Sequence, residues 1–207
     1  MGGGAVEGAL REGGGEPGLR LIETVLWDGR AAPRWPLHQA RLRRSAELLG
    51  WSCPDLVPAG PDHPARVRLT LDRNGAVDWT VAPLPPARAE WRVGLAKERL
   101  ASGDPWLRVK STRREVYDRA RAALPEGLDE VLFLNERGEV CEGTITTVFF
   151  DRGQGLRTPP LSSGVLPGVL RAELGCPEEV LLAADLPKVR LWVGNALRGL
   201  FPAVWVG

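Results

Sequence analysis

Four places in this sequence have residue types and spacing that could carry chemistry. The first is Lys110, at the end of Trp106-Leu107-Arg108-Val109-Lys110, a segment that alternates like a strand and leads into a helix. Strand ends facing a crevice are frequent seats of reactive groups. A lysine amine attacks only when neutral, a state favoured by desolvation or by nearby cations such as Arg108, Arg113 and Arg114. The bland alternative is a solvated surface charge. The second is Glu142, inside the apolar and hydroxyl-bearing run Val140-Cys141-Glu142-Gly143-Thr144-Ile145-Thr146-Thr147-Val148. A buried carboxylate there needs a partner that keeps it charged; the alternative is a strand-edge residue facing water. The third is Leu166-Pro167-Gly168-Val169-Leu170-Arg171, a helix start whose free N–H groups could bind an oxyanion. An ordinary helix start after a proline-rich loop reads equally well. The fourth is Arg41, whose rigid guanidinium suits a phosphate, although Arg43 and Arg44 beside it also permit a solvated helical face.

These groups need elements to hold them. Residues 1–18, rich in glycine, read as a disordered lead. Leu19–Trp27 is β-rich and ends at the turn pair Asp28-Gly29. Pro36 opens a helix in which Leu42, Ala46 and Leu49 recur at helical spacing, with Gly50 at the C-cap position. Val67, Leu69 and Leu71, then Val77, Trp79 and Val81, alternate on either side of Asn74-Gly75 and predict a hairpin. Trp91, Val93 and Leu95 suggest another strand. Residues 99–105 read as a linker, dividing the chain into a small α/β domain over 19–102 and a larger domain over 103–207. In the second half, Thr112 heads a helix, DEVLFLN (129–135) reads as a strand, and EVCEGTITTVFF (139–150) as a long β-rich run. Strands and helices alternate in both halves, so the class is α/β or α+β.

Composition narrows the function. With Lys+Arg 27 against Asp+Glu 26 in 207 residues, the chain has no electrostatic footprint for nucleic acid or an anionic membrane. No apolar run approaches the ~20 residues that span a bilayer. The start MGGGAVEGAL lacks a secretory pattern, and Val6 fails the myristoylation motif. Three separated cysteines, Cys53, Cys141 and Cys176, fit a reducing cytoplasm, and His38 and His63 are too few for a histidine-built metal site. His38 reads as a packed or solvated helix residue, Tyr117 as core or pocket, and Cys141 as facing away from Glu142 into packing.

The order of blocks LIETVLWDG, LHQARLRRSAELLGW, KSTRREVYDRAR, DEVLFLNERGEVCEGTITTVFF, TPPLSSGVLPGVLRAEL and VGNALRGL resembles the class IV aminotransferase family, the fold type IV pyridoxal-phosphate enzymes. The resemblance runs from about Leu19 to Leu200, and its K-S-T-R-R and N-x-x-R-G-L blocks look most like the 4-amino-4-deoxychorismate lyase branch. It implies a two-domain fold, pyridoxal 5'-phosphate as cofactor, no metal and a homodimer. It also implies roles: Lys110 for the lysine that forms the Schiff base and moves protons, Glu142 for the partner of the pyridine nitrogen, Arg41 for a phosphate ligand, and Val169 and Leu170 for phosphate-binding amides. Arg114, Arg113 and Thr24 are the candidates for binding substrate. The reaction implied is conversion of 4-amino-4-deoxychorismate to 4-aminobenzoate and pyruvate. A transaminase acting on an amino acid and a 2-oxo acid is the alternative, and a non-catalytic phosphate binder a remote one. Two positions depart from the family pattern: Thr147 stands where asparagine is usual, and Ala196 where a phosphate-binding hydroxyl is common.

Overall fold

The computed structural model describes residues 3–207, and the chain forms two compact units. One holds the residues up to Pro86 together with Arg108–Arg113; the other holds Ala87–Leu107 and Arg114–Gly207.

The first unit is a three-stranded antiparallel sheet with two helices. Its strands are β1 (Leu21–Asp28), β2 (Pro64–Leu71) and β3 (Val77–Ala82), in the order β1-β2-β3. The β2–β3 hairpin follows the alternation around Asn74-Gly75, with Leu71 opposite Val77 and Val67 opposite Val81. Helix α2 (Trp35–Leu49) lies against β1 and buries His38, Arg41, Leu42, Ala46 and Leu49, ending at Gly50 as its spacing predicts. Helix α1 (Gly3–Gly13) packs against α2. The glycine-rich opening is therefore helical over residues 3–13, not a disordered lead; Met1 and Gly2 lie outside the described residues. Glycine disfavours a helix by up to ~1 kcal/mol per residue, but packing supplies most helical stability in a protein. Leu10, buried at 1% exposure, supplies that packing here.

The 108–113 segment runs along the other edge of β1. The Ile22 N–H donates to the Lys110 carbonyl at 2.8 Å, the Thr112 N–H to the Arg20 carbonyl at 2.8 Å, and Leu21 bridges Ser111. This edge pairing draws the segment into the first unit, although it follows residues of the second.

The second unit is a closed six-stranded barrel. In spatial order its strands are β4 (Trp91–Leu100), β5 (Glu130–Asn135), β6 (Val140–Gly143), β7 (Thr147–Asp151), β8 (Arg190–Asn195) and β9 (Gly199–Trp205). β4 pairs in parallel with both β5 and β9, and the remaining pairs are antiparallel. Every residue of β5, β6 and β7 is buried, as expected of strands covered on both faces. One cluster joins Leu132, Leu134, Val140, Val148, Phe150, Val193 and Phe201. A second joins Val131, Phe133, Cys141 and Val165 to Val116 and Tyr117 of helix α3 (Glu115–Ala122).

Three further sequence expectations change. The break between units does not fall at 102/103, because β4 completes the barrel and so belongs with the C-terminal half. Trp106–Lys110 is no strand: Pro105–Arg108 is a short 3-10 helix, a turn that an alternating run of five residues cannot be told from. Helix α3 starts at Glu115 instead of Thr112, whose backbone and hydroxyl are bonded to Arg20. Among the described residues, no helix is long and apolar enough to cross a membrane.

Candidate active site

In the first unit, β1 and α2 bring three polar side chains together. Along β1, Leu21, Val25 and Trp27 face the interior, and Glu23 shares their parity, so strand alternation places a carboxylate inside. On α2, His38 and Arg41 are three residues apart and lie on one face. Arg41 grips Glu23 with two parallel bonds, Nε to Oε1 at 2.8 Å and Nη2 to Oε2 at 2.5 Å. His38 Nδ1 meets Oε2 at 2.6 Å. Arg41 is 6% exposed, so it is no solvated helical face, and His38 is packed, not solvated. Burial acts to raise the Glu23 pKa, but the charge of Arg41 and the bonds from His38 and Arg41 outweigh it and hold the carboxyl at about 2.

That shift gives a prediction for the whole chain. The ordinary value is 4.5, so the folded carboxyl is depressed. A depressed carboxyl contributes stability above its unfolded pKa and loses it as pH falls towards the folded value. At 1.36 kcal/mol per unit this is on the order of 3 kcal/mol. The melting temperature is expected to drop between pH 4.5 and pH 2; a flat profile across that window contradicts the pairing.

Lys110 belongs to the same unit. Its carbonyl is bonded beside Glu23 through Ile22, and its side chain is half-buried. The chain has three lysines, Lys97, Lys110 and Lys188. Lys97 and Lys188 are exposed, and Lys188 is paired with Asp185 at 3.4 Å. Thr24 is half-buried on β1 opposite Arg68. Arg113 reaches the surface carboxylate of Glu16 at 2.9 Å.

In the second unit, Glu142 sits on β6 at 6% exposure, so it does not face water from a strand edge. The Tyr117 hydroxyl donates to Oε1 at 2.7 Å, and the Leu166 N–H donates to Oε2 at 3.0 Å. Burial first, and then the neighbouring Glu142 charge, push the Tyr117 phenol above its ordinary value, so it remains a donor. Arg114 lies over the Tyr117 ring at 5.7 Å, with Nε on Asp118 at 2.8 Å and Nη2 on the Thr144 carbonyl at 3.0 Å. Cys141 packs into the core and donates to the Ser163 carbonyl at 3.0 Å; burial pushes its thiol up to about 12.

The turn between β6 and β7 is shaped by a carboxylate that spacing alone did not single out. Glu130 is fully buried and accepts from the Thr144 hydroxyl at 2.6 Å, the Thr146 hydroxyl at 3.0 Å and the Ile145 N–H at 3.2 Å. A Cβ at Gly143 would lie 2.8 Å from that carboxylate, so the glycine of the E-G-T block makes room for a structural anion. The loop after Thr158 is likewise tied down. Ser163 donates to Glu139 at 2.7 Å, and buried Arg171 binds the Thr158 hydroxyl and the Pro159 carbonyl, both at 2.7 Å. This fixes the Leu166 N–H and the start of helix α4 (Val169–Leu174). As its first residues, Val169 and Leu170 have N–H groups with no intrahelical acceptor. A Cβ at Gly168 would come within 2.8 Å of Thr147 Oγ1. Thr147 is thus packed beneath the helix start. Ala196 lies buried in the β8–β9 turn, which Asn195 fastens through the Leu197 and Arg198 N–H groups at 3.1 and 3.0 Å.

The second unit's donors and acceptors suit different parts of one kind of ligand. Glu142 is a buried anion held by two donors, suited to a protonated heterocycle nitrogen. The glycine-lined start of α4 offers amides to an oxyanion.

The family model "Amino-transferase class IV" matches residues 20–205, and the chain belongs to that family. A protein of Schizosaccharomyces pombe named "Putative aminodeoxychorismate lyase" is 33% identical over 167 residues, covering 74% of this chain and 72% of its own. The crystal structure of a "Putative amino-acid aminotransferase" from Mesorhizobium loti is 43% identical, with TM-score 0.85, covering 91% of this chain and 100% of that one. A hypothetical aminotransferase from Mycobacterium tuberculosis, in a PLP-bound form, is 25% identical, with TM-score 0.75, covering 91% and 81%. The architecture is that of fold type IV, and the chain is an enzyme whose cofactor is pyridoxal phosphate.

Proposed function

We propose that the chain is a lyase of this family that converts 4-amino-4-deoxychorismate to 4-aminobenzoate and pyruvate. Its similarity to the Schizosaccharomyces pombe protein carries the choice of reaction. Lys110 is the lysine that holds the cofactor, a reading supported by its being the half-buried lysine of the three. Glu142 pairs with the pyridine nitrogen, while Arg41 and the Val169 and Leu170 amides bind the phosphate. Bound pyridoxal phosphate supplies an electron sink for charge developing at the substrate carbon.

The chain's own residues then have three tasks. Lys110 Nζ takes the proton from the ring carbon that bears the amino group. The ether C–O bond breaks, the ring becomes aromatic, and the departing enolate of pyruvate takes that proton back from Lys110 at its methylene carbon. Arg114 binds a substrate carboxylate: Asp118 and Thr144 fix two of its nitrogens and leave Nη1 for the ligand. Arg113, engaged with Glu16, is the weaker candidate, and Thr24 is a further substrate contact on β1. The protein works as a cytoplasmic homodimer in folate synthesis.

A second reading, transamination between an amino acid and a 2-oxo acid, is favoured by the Mesorhizobium loti relative. Incubating the purified protein with 4-amino-4-deoxychorismate is expected to yield 4-aminobenzoate and pyruvate in equal amounts. Absence of both, with bleaching of the aldehyde absorbance by an amino acid and its recovery on adding 2-oxoglutarate, replaces the lyase with a transaminase.

A further inference from the structure

The buried trio Glu23, Arg41 and His38 asks for an explanation beyond stability. Removing two opposite charges from water costs several kcal/mol per ion, and a well-packed apolar pair of similar volume is often as stable. Yet β1 places a carboxylate among Leu21, Val25 and Trp27, and α2 turns an arginine towards it. The carboxylate accepts three bonds from two side chains, one of them from His38, whose own Nε2 is buried and has no hydrogen-bond partner among the described residues. His38 also stacks on Trp35, with ring centroids 6.4 Å apart. The fork is thus anchored from one side by Glu23, and Glu23 is itself braced by a stacked imidazole.

We propose that Glu23 is a positioning residue that aims Arg41 at the cofactor phosphate. The inference rests on the phosphate role of Arg41 given under Proposed function and goes one step further back. A free arginine side chain surrenders ~2 kcal/mol of rotamer freedom when it is fixed. Glu23 fixes it in the folded protein by binding Nε and Nη2, so Nη1 remains as the nitrogen for an anion. A countervailing effect acts at the same time. A carboxylate beside the guanidinium reduces the positive field that attracts a phosphate. The two effects predict opposite outcomes when the Glu23 charge is removed: lost orientation weakens phosphate binding, and lost repulsion strengthens it.

The test compares pyridoxal phosphate with pyridoxal, which lacks the phosphate. Dissociation constants for both are read from tryptophan fluorescence in the full-length protein, in Glu23→Gln, in Arg41→Gln and in the double variant. Wild type prefers the phosphorylated form. Glu23→Gln is expected to cut that preference about tenfold, as loss of an orienting charged bond would, and to leave pyridoxal binding unchanged. Arg41→Gln cuts it at least as far, and the double variant no further than Arg41→Gln alone. If Arg41→Gln leaves the preference intact, the phosphate role of Arg41 fails. If Arg41→Gln cuts it while Glu23→Gln leaves it unchanged or raises it, that role stands and the positioning role is overturned. Should Glu23→Gln fail to fold, Glu23→Asp keeps the charge and shortens the fork; a preference equal to wild type in that variant equally overturns it.

Discussion

Replacing Lys110 with alanine is expected to slow turnover by roughly 10²–10⁴-fold, the range that a positioned proton-transferring group supplies, while leaving the fold intact. The fold survives because the structural contact of this residue with β1 is made by its backbone: the Ile22 N–H bonds to the Lys110 carbonyl, which alanine retains. The chemistry fails because the remaining lysines, Lys97 and Lys188, are solvent-exposed, where an amine stays charged, and Lys188 is paired with Asp185. Steady-state rates, set beside thermal melts of the two proteins, check this. An alanine variant that melts like wild type and turns over at the wild-type rate removes Lys110 from the chemistry.

The second large effect is expected at Glu142. Glutamine keeps the shape and loses the charge, and breaking a buried charge pair costs about 3–5 kcal/mol, roughly 10²–10³-fold or more in rate. Glu142→Gln should also weaken the cofactor's long-wavelength absorbance at neutral pH, since the protonated ring nitrogen loses its counter-ion. Tyr117→Phe removes one donor to the same carboxylate, a bond to a charged group worth about 1.5–3 kcal/mol, and should cost roughly ten- to 150-fold, less than Glu142→Gln. Equal losses in the two variants would mean that the charge of Glu142 is not what matters. A glutamine variant with an unaltered spectrum would mean the same.

How much of this was legible in the sequence varies by element. The β2–β3 hairpin was fully so, because period-two alternation and an Asn-Gly turn agree with the register that formed. The helix around Arg41 was legible from Leu42, Ala46 and Leu49. Two elements misled for physical reasons. The opening glycines signal disorder through backbone entropy, but the helix packs against α2 and buries Leu10. Trp106–Lys110 alternates over too few residues to separate a strand from a turn, and Pro105 begins a 3-10 helix there. The unit boundary was missed because residues 99–105 read as a linker, whereas β4, which runs to Leu100, pairs with β5 and β9 and closes the barrel.

For the site, residue type and block order pointed to Lys110, Glu142, Arg41 and the start of α4. The partners of those residues were not visible. Glu23 could have been found from its inward parity on β1. Glu130 could not, because only the folded β6–β7 turn brings Thr144 and Thr146 to it. Thr147, a departure from the family pattern, packs under Gly168, which does not explain the change from asparagine.

The central claim is that one amine holds the cofactor. Reduction of the pyridoxal-phosphate-loaded protein with borohydride, followed by digestion and peptide mass mapping, reads that amine directly. The account predicts a pyridoxyl adduct on the peptide containing Lys110 and on neither Lys97 nor Lys188. An adduct on one of those two lysines, with Lys110 unmodified, would contradict it.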